Sequence, residues 1–122
     1  MECWLQSSDL SWRALRADVG SVLDSFQAHD WLSEDASMRE REESGLDACP
    51  AGIGMVRGDG QILHVCPGPT TALVHHHFPS RVLGFLWRRT VTKTVMDMPL
   101  HHVPRLIRIF FSGGTVKLGG AA

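Results

Sequence analysis

Residues 52–77 read GIGMVRGDGQILHVCPGPTTALVHHH, and the pattern is typical of an antiparallel sheet. Short apolar runs, rich in β-branched residues, alternate there with glycine, proline and polar residues, as strands alternate with turns. The three predicted strands are residues 53–56, 61–66 and 71–75. The connections GDG and PGP between them are short and have turn composition, so neighbouring strands must run antiparallel.

Two more strands are predicted downstream of this stretch. Residues 78–80, with a central proline, are expected to end the third strand, and the runs 81–87 and 90–96 follow as the fourth and fifth. In the last run, Thr90, Thr92 and Thr94 alternate with valine and lysine. This alternation indicates a half-exposed strand at an edge of the sheet.

A C-terminal helix is predicted to begin near Val103. Pro104 favours a start there because proline is accepted in the first turn of a helix, and the glycines at 113–114 favour a stop. The apolar face of this helix comprises Val103, Leu106, Ile107 and Phe110. A strand over residues 107–111 is the alternative, given its β-branched and aromatic content, and residues 115–118 would suit a short terminal strand.

Ahead of the sheet, the sequence predicts an amphipathic helix over residues 10–28. Apolar residues recur there at steps of three and four, as they do on one face of a helix. These residues are Trp12, Leu15, Val19, Val22, Leu23 and Phe26. We expect the stripe to be buried against the sheet, and a partner-binding helix is the alternative.

Residues 33–50 are predicted to be an acidic, flexible connector. The overlapping stretch 34–56 carries six acidic and two basic residues, and the connector has few apolar side chains to bury. The segment lacks an apolar face, so both a solvated helix and a disordered chain fit its composition.

The predicted elements make a single α+β domain over residues 1–122. It consists of a helical segment (1–32), the acidic connector (33–50), and a four- or five-stranded antiparallel meander with a short C-terminal helix over 51–118. At 122 residues, 43% hydrophobic and 20% charged, the chain has the size and composition of one globular domain.

Neither a membrane span nor a secretion signal is found in the sequence. The apolar runs are too short to cross a bilayer, and the first residues lack the basic flank and apolar core of a signal peptide. The three cysteines have no CxxC spacing, which fits reduced thiols better than a disulfide framework. These features together predict a cytoplasmic protein.

The established catalytic motifs are missing from the sequence. Lys93 and Lys117 do not follow a phosphate-binding glycine loop. The start of a dinucleotide fingerprint occurs at 52–54, but Arg57 stands where its third glycine belongs. HExxH, GxSxG and zinc-deaminase patterns do not occur. The sequence therefore predicts a protein without enzymatic activity.

Histidines form the cluster with the most chemical potential. Five of the seven lie in the runs 75–77 and 101–102. On an extended strand, His75 and His77 share one face about 7 Å apart, so they could bind zinc together with His101 or His102 and with Cys66. Solvated or packed histidines are the alternative, and no cofactor is the prediction because no established zinc motif is present.

Positive charge is concentrated late in the chain, where residues 57–122 carry eight basic and two acidic residues. Arg88, Arg89, Arg105 and Arg108 would adjoin if the last strand packs beside the last helix. Such a basic face attracts an acidic protein surface. Arginines paired internally with the acidic half of the chain are the alternative.

We therefore expect a small protein-binding protein, such as an inhibitor, adaptor or accessory factor. It would act through the basic face, the amphipathic helix or both. A histidine-cluster metal-binding protein is the alternative function, and an RNA-binding module is the third. The net charge of −1 disfavours nucleic acid and membrane surfaces as partners, while a homodimer remains compatible with the sequence.

Overall fold

The computed structural model describes the backbone of residues 1–82 and 87–118 and the side chains of residues 1–79 and 89–118. Within these ranges the chain forms a six-stranded antiparallel sheet and three α-helices, which confirms the α+β class. The strands are β1 (Glu2–Gln6), β2 (Trp12–Leu15), β3 (Gly52–Val56), β4 (Ile62–Pro67), β5 (Thr71–Val82) and β6 (Trp87–Pro99). The helices are α1 (Val19–Ala28), α2 (Trp31–Glu43) and α3 (Val103–Phe111), with a 3-10 turn at Leu100–His102. The strand order is β2-β1-β3-β4-β5-β6.

One face of the sheet carries the hydrophobic core. Side chains alternate between the two faces along a strand, so every second residue of the central strands points into this core. The strands contribute Cys3, Ile53, Met55, Leu63, Val65, Ala72 and Val74. The helices α1 and α3 cover this face with Val22, Leu23, Phe26, Val103, Leu106, Ile107 and Phe110.

The C-terminal helix has the predicted start and the predicted apolar face. It begins at Val103, carries Pro104 in its first turn, and stops before Gly113, whose φ of +79° suits glycine. The alternative strand over 107–111 is therefore wrong. Residues 115–118 are not a strand either, although Val116 and Leu118 are buried in the core.

The N-terminal prediction was wrong in its first half. The helix expected over residues 10–28 begins only at Val19, where the side chain of Asp18 accepts a hydrogen bond of 2.8 Å from the Ser21 amide. Residues 2–6 and 12–15 are strands instead. Because residues 12–15 are extended, the helical spacing of Trp12 from Val19 is a coincidence, and Trp12 is 68% exposed.

An acidic helix, α2, occupies most of the predicted connector. None of its residues is buried, as expected from its composition, but its first turn is anchored. The indole N–H of Trp31 donates to the carbonyl of Phe26 over 2.7 Å. The carboxylate of Glu34 accepts from the Ser8 amide over 2.7 Å and lies 3.1 Å from Nε2 of His29. The flexibility of this segment stays a prediction.

We expect Glu34→Gln to lower the free energy of unfolding by about 1 kcal/mol at neutral pH, because hydrogen bonds to a carboxylate are stronger than those to an amide. Burial on its own would raise the pKa of Glu34, but the hydrogen bonds from Ser8 and His29 outweigh burial and hold it below 4.5. A carboxyl with a lowered pKa stabilises the fold above its unfolded pKa, and this contribution is lost as the pH falls through the folded pKa.

The stabilities of the two proteins in urea should therefore converge as the pH falls through the folded pKa of Glu34. The exposed Glu40→Gln, on the same helix, is the control and should match the wild type throughout. A difference between Glu34→Gln and wild type that does not change with pH would contradict the assigned role of the carboxylate.

The sheet has six strands, one more than the largest number predicted. Its last two strands, β5 and β6, are longer than the predicted strands 71–75 and 90–96. The strand predicted over 81–87 does not exist as a unit, since its first two residues end β5, Trp87 opens β6, and residues 83–86 lie outside the described ranges. The break expected at 78–80 is absent as well. Beyond His77, β5 pairs only with β6, so the missing N–H of Pro79 can face the unpaired side.

The remaining strand predictions agree with the structure. Strand β6 lies at an edge of the sheet, as predicted for residues 90–96, and Thr90, Thr92 and Thr94 are exposed. The GDG turn joins β3 to β4, with the amide of Gly60 donating to the carbonyl of Arg57 over 2.9 Å. At these places, the turn residues and the strand alternation of the sequence predict the same elements.

Candidate functional site

The candidate site is the face of the sheet opposite the core, which we call the open face. The described helices place their buried apolar residues on the core face. On the open face lie the side chains that alternate with core residues along each strand, and most of them are half-buried or exposed. Two groups stand out: tryptophans toward the β2 edge and histidines on β4 and β5.

The tryptophan group consists of Trp4 on β1 and Trp12 on β2. The ring of Trp4 lies flat over Gly54 of β3, where a Cβ atom would come within 2.2 Å of its Cζ2. Trp12 pairs in register with Gln6, and its side chain projects into solvent. An open depression of about 650 Å³ lies beside the two rings. It is lined by Met1, Glu2, Cys3, Trp4, Gln6, Trp12, Ala14 and Leu15.

The histidine group, which we call the histidine row, comprises His64, His75 and His77. Their ring centroids are 6.2 Å apart for the first pair and 6.1 Å for the second. The row exists because His64 and His75 are register partners on β4 and β5, while His77 follows His75 at the two-residue strand repeat. Threonines of β6 fix two of the rings.

Hydrogen bonds orient the outer rings of the row. Nδ1 of His75 lies 2.9 Å from the hydroxyl of Thr94, and Nδ1 of His77 lies 2.7 Å from the hydroxyl of Thr92. Burial lowers the pKa of His64, and the nearby His75 and His77 lower it further, because each disfavours a second positive charge. The neutral form of His64 is thereby favoured near pH 7.

Cys66 lies next to the histidine row but is not activated by it. Its Sγ is 3.8 Å from Nε2 of His64. Burial, with a smaller effect of Cys49, raises the pKa of the Cys66 thiol to about 11. A nucleophilic cysteine requires the thiolate, and therefore a lowered pKa. The Cys66–His64 pair consequently lacks the electrostatics of a cysteine nucleophile and its base.

The predicted zinc ligands are only partly brought together. His75 and His77 share the open face as expected, whereas His101 lies in the 3-10 turn before α3, with its ring 4.3 Å from that of His102. In the part of the chain that the structure describes, no group of three histidine, cysteine or acidic side chains could hold a metal ion. Zinc binding by His75, His77 and His101 stays a prediction.

The four arginines of the predicted basic face lie on two elements, β6 and α3. Arg105 and Arg108 are exposed on α3, and Arg89 is exposed on β6, ten residues before the end that leads to α3. Arg88 pairs with Arg81 in the backbone register, and its side chain lies outside the described set. Partner binding by these residues stays a prediction.

Sequence reasoning missed most of the open face. Trp4 was not considered because residues 2–6 were not predicted as a strand, and Trp12 was predicted on the buried side of a helix. The alternation of Cys3 and Leu5 with Trp4 and Gln6 is the signal that identifies β1. The shared face of His75 and His77 was predicted, and so was the shared face of the β6 threonines.

Comparison of the chain with protein-family models, curated proteins and solved structures gave no match. Among the described residues, the helices are all too short or too polar to cross a bilayer.

Proposed function

We propose that this chain is a non-enzymatic protein-binding module and that its partner docks on the open face. The observation that carries the proposal is the exposure of Trp12 beside an open depression lined by apolar and aromatic side chains. Exposed, contiguous apolar surface on a small domain marks an interaction site, and tryptophan is among the residues that dominate interface energetics.

The shallow relief of the open face supports binding to a protein more than to a small molecule. The floor of the face is a strand ladder whose glycines, Gly52 and Gly54, let side chains lie close to the backbone. The depressions on the face are open to solvent rather than enclosed, whereas small-molecule sites bury most of their ligand. A broad, shallow surface with an aromatic anchor suits another folded surface.

Two exposed arginines outside the open face bear on the chemistry of the proposed partner. Arg105 and Arg108 are exposed on α3, on the core side of the sheet and away from the open face. Long-range attraction by such charges increases the rate at which an acidic partner associates, without requiring that they touch it. An acidic protein partner therefore remains part of the proposed function.

The test is to purify the partner from the native source on immobilised chain and to compare variants. Trp12→Glu should weaken capture by about 30-fold, the loss that corresponds to about 2 kcal/mol for an interface anchor. Leu32→Glu is the matched control, because Leu32 is also an exposed apolar residue, 63% exposed, but lies on α2. It should leave capture unchanged.

The double variant Arg105→Glu, Arg108→Glu separates the two surfaces. It should slow association at low salt while leaving the dissociation rate close to that of the wild type. Loss of capture in this double variant together with full capture by Trp12→Glu would place the contact on α3 and contradict the open-face proposal.

A further inference from the structure

We propose that the open face binds a proline-rich segment of the partner, which lies across the strands as a polyproline II helix and ends in acidic residues beside Arg81 and Arg88. This inference rests on the proposed function, because it uses the same face and the same anchor, Trp12. It adds the conformation and the chemistry of the bound segment. The support comes from the shape of the face, its hydrogen-bond donors and its charges.

Two depressions lie side by side on the open face and share Trp4 and Gln6 in their lining. The first, about 650 Å³, lies over β2 and β1. The second, about 280 Å³, lies over β4 and β5 and reaches Thr90 on β6. Their centres are about two strand spacings, roughly 10 Å, apart. A polyproline II helix repeats every three residues, or about 9 Å, so one segment can place a proline in each depression.

The ridge between the depressions is the ring of Trp4. One face of this ring covers Gly54, so the opposite face is turned outward. Trp12 lies beside it and is 68% exposed. Grooves bounded by aromatic rings are typical sites for proline-rich segments, because flat rings pack against pyrrolidine rings and the segment is already ordered before it binds.

The lining of the depressions also contains hydrogen-bond donors that the described protein does not use. Among the described residues, the indole N–H groups of Trp4 and Trp12 and the amide of Gln6 donate to no protein acceptor, and all three side chains are half-buried or exposed. A polyproline II segment has no internal hydrogen bonds, so its carbonyl groups can accept from these donors. An α-helix uses its carbonyl groups internally and would leave the donors unpaired.

Positive charge at one end of the face accounts for the acidic end of the segment. Arg81 and Arg88 are register partners, and the two-residue repeat of the strands places both positions on the open face, next after Pro79 and Thr90. Because Thr90 lines the second depression, a segment that continues in this direction reaches the two arginine positions after about 7 Å. Arginine forms bidentate pairs with carboxylates, so acidic residues at this end are complementary to the face.

The distribution of charge favours a peptide over single-stranded RNA. Among the described residues that line the two depressions there is no lysine or arginine. In the first depression, the carboxylate of Glu2 offsets the amino group of Met1. RNA carries a phosphate at every nucleotide and needs cations along its whole path, whereas a proline-rich backbone carries no charge and needs them only at its acidic end.

The probe for the first experiment is a synthetic peptide of two Pro-Pro-Ala repeats followed by two aspartates, with both ends blocked. It contains no fluorophore, so the fluorescence of the chain's tryptophans reports binding directly. We expect a Kd below about 100 μM. The same peptide with two lysines in place of the aspartates should bind at least about fivefold more weakly.

Variants of the chain test the depressions and the donors. Trp12→Gln removes a wall of the first depression and should weaken binding of the aspartate peptide at least about tenfold. Gln6→Leu keeps the size of the side chain but removes a donor, so it should weaken binding about fivefold. The matched control is Gln27→Leu, exposed on α1, which should bind like the wild type. If Gln6→Leu binds as well as the wild type, the face binds by apolar contact alone and the inference is wrong.

A pair of double variants tests the basic end. Arg81→Gln with Arg88→Gln should abolish the difference in affinity between the aspartate and lysine peptides. Arg105→Gln with Arg108→Gln, on the exposed side of α3, is the matched control and should preserve that difference. Circular dichroism checks that each variant is folded.

The outcomes separate this inference from the proposed function. Failure of the aspartate peptide to bind at up to about 1 mM overturns the inference. Tighter binding of an amphipathic helical peptide with the same acidic end, or of single-stranded oligouridine, overturns it as well. The proposed function survives these results if Trp12→Glu still weakens capture of the native partner. Binding of the peptide together with full capture by Trp12→Glu would contradict the proposed function instead.

Discussion

Phe110→Ala is expected to lower the free energy of unfolding by about 3–5 kcal/mol, the largest effect of any substitution considered for this chain. Phe110 is fully buried, at 0% exposure, in the cluster where α3 meets the sheet. Removing the ring leaves a cavity in this core cluster. It also takes away the ring face over which the guanidinium of Arg57 lies, 4.8 Å from the centroid.

The measurement for Phe110→Ala is equilibrium unfolding in urea, with Leu32→Ala as the matched control. Leu32 is a comparable apolar side chain on a helix, but it is exposed, so the control should stay within about 0.5 kcal/mol of the wild type. Phe110→Leu should fall between the two, because leucine fills part of the cavity. A loss of less than about 1 kcal/mol for Phe110→Ala would mean that α3 does not pack on the sheet as described.

The C-terminal half of the fold could be predicted because its signals are local. Strands β3 and β4 are joined by GDG, which has glycine where the backbone needs it, and Gly60 takes a φ of +85°. The helix α3 has a proline in its first turn and a glycine after its end, with an apolar stripe between them. At these places, local conformation and burial favour the same element.

The N-terminal hairpin could not be predicted, because its turn lacks the usual residues. The turn between β1 and β2 uses Leu10 at a φ of +73°, a conformation that normally selects glycine or asparagine. Ser7 and Ser11 close the turn with a backbone hydrogen bond of 2.8 Å. With no turn signal at this place, the helical spacing that starts at Trp12 was the stronger pattern.

The open face follows from tertiary packing that no local pattern reveals. Alternation predicted that His75 and His77 share a face, and the distance of 6.1 Å between their rings agrees with this. It could not predict that α1 and α3 both cover the other face. The acidic helix α2 has no apolar stripe with which it could cover the open face. A sheet with one helical layer leaves its second face uncovered, and this determines where the candidate site lies.

Arg57→Leu is expected to lower the free energy of unfolding by about 2–4 kcal/mol, because it leaves two carbonyl groups without their donor. One terminal nitrogen of Arg57 donates to the carbonyl of Phe110 over 2.9 Å and to that of Gly114 over 3.0 Å. These bonds connect the end of β3 to the end of α3. The Arg57 side chain is only 11% exposed, so water does not readily replace them.

The ion pair with Asp59 is not the main source of this stability. Asp59 is 48% exposed at a distance of 2.9 Å from Arg57, and exposed pairs contribute less than about 1 kcal/mol. Asp59→Asn should therefore have a small effect in urea unfolding, while Arg57→Leu has a large one. Arg57→Lys separates charge from geometry, since lysine keeps the charge but lacks the planar fork that reaches two carbonyls and a carboxylate together. We expect it to recover less than half of the loss, and full recovery would show that charge alone holds α3 to β3.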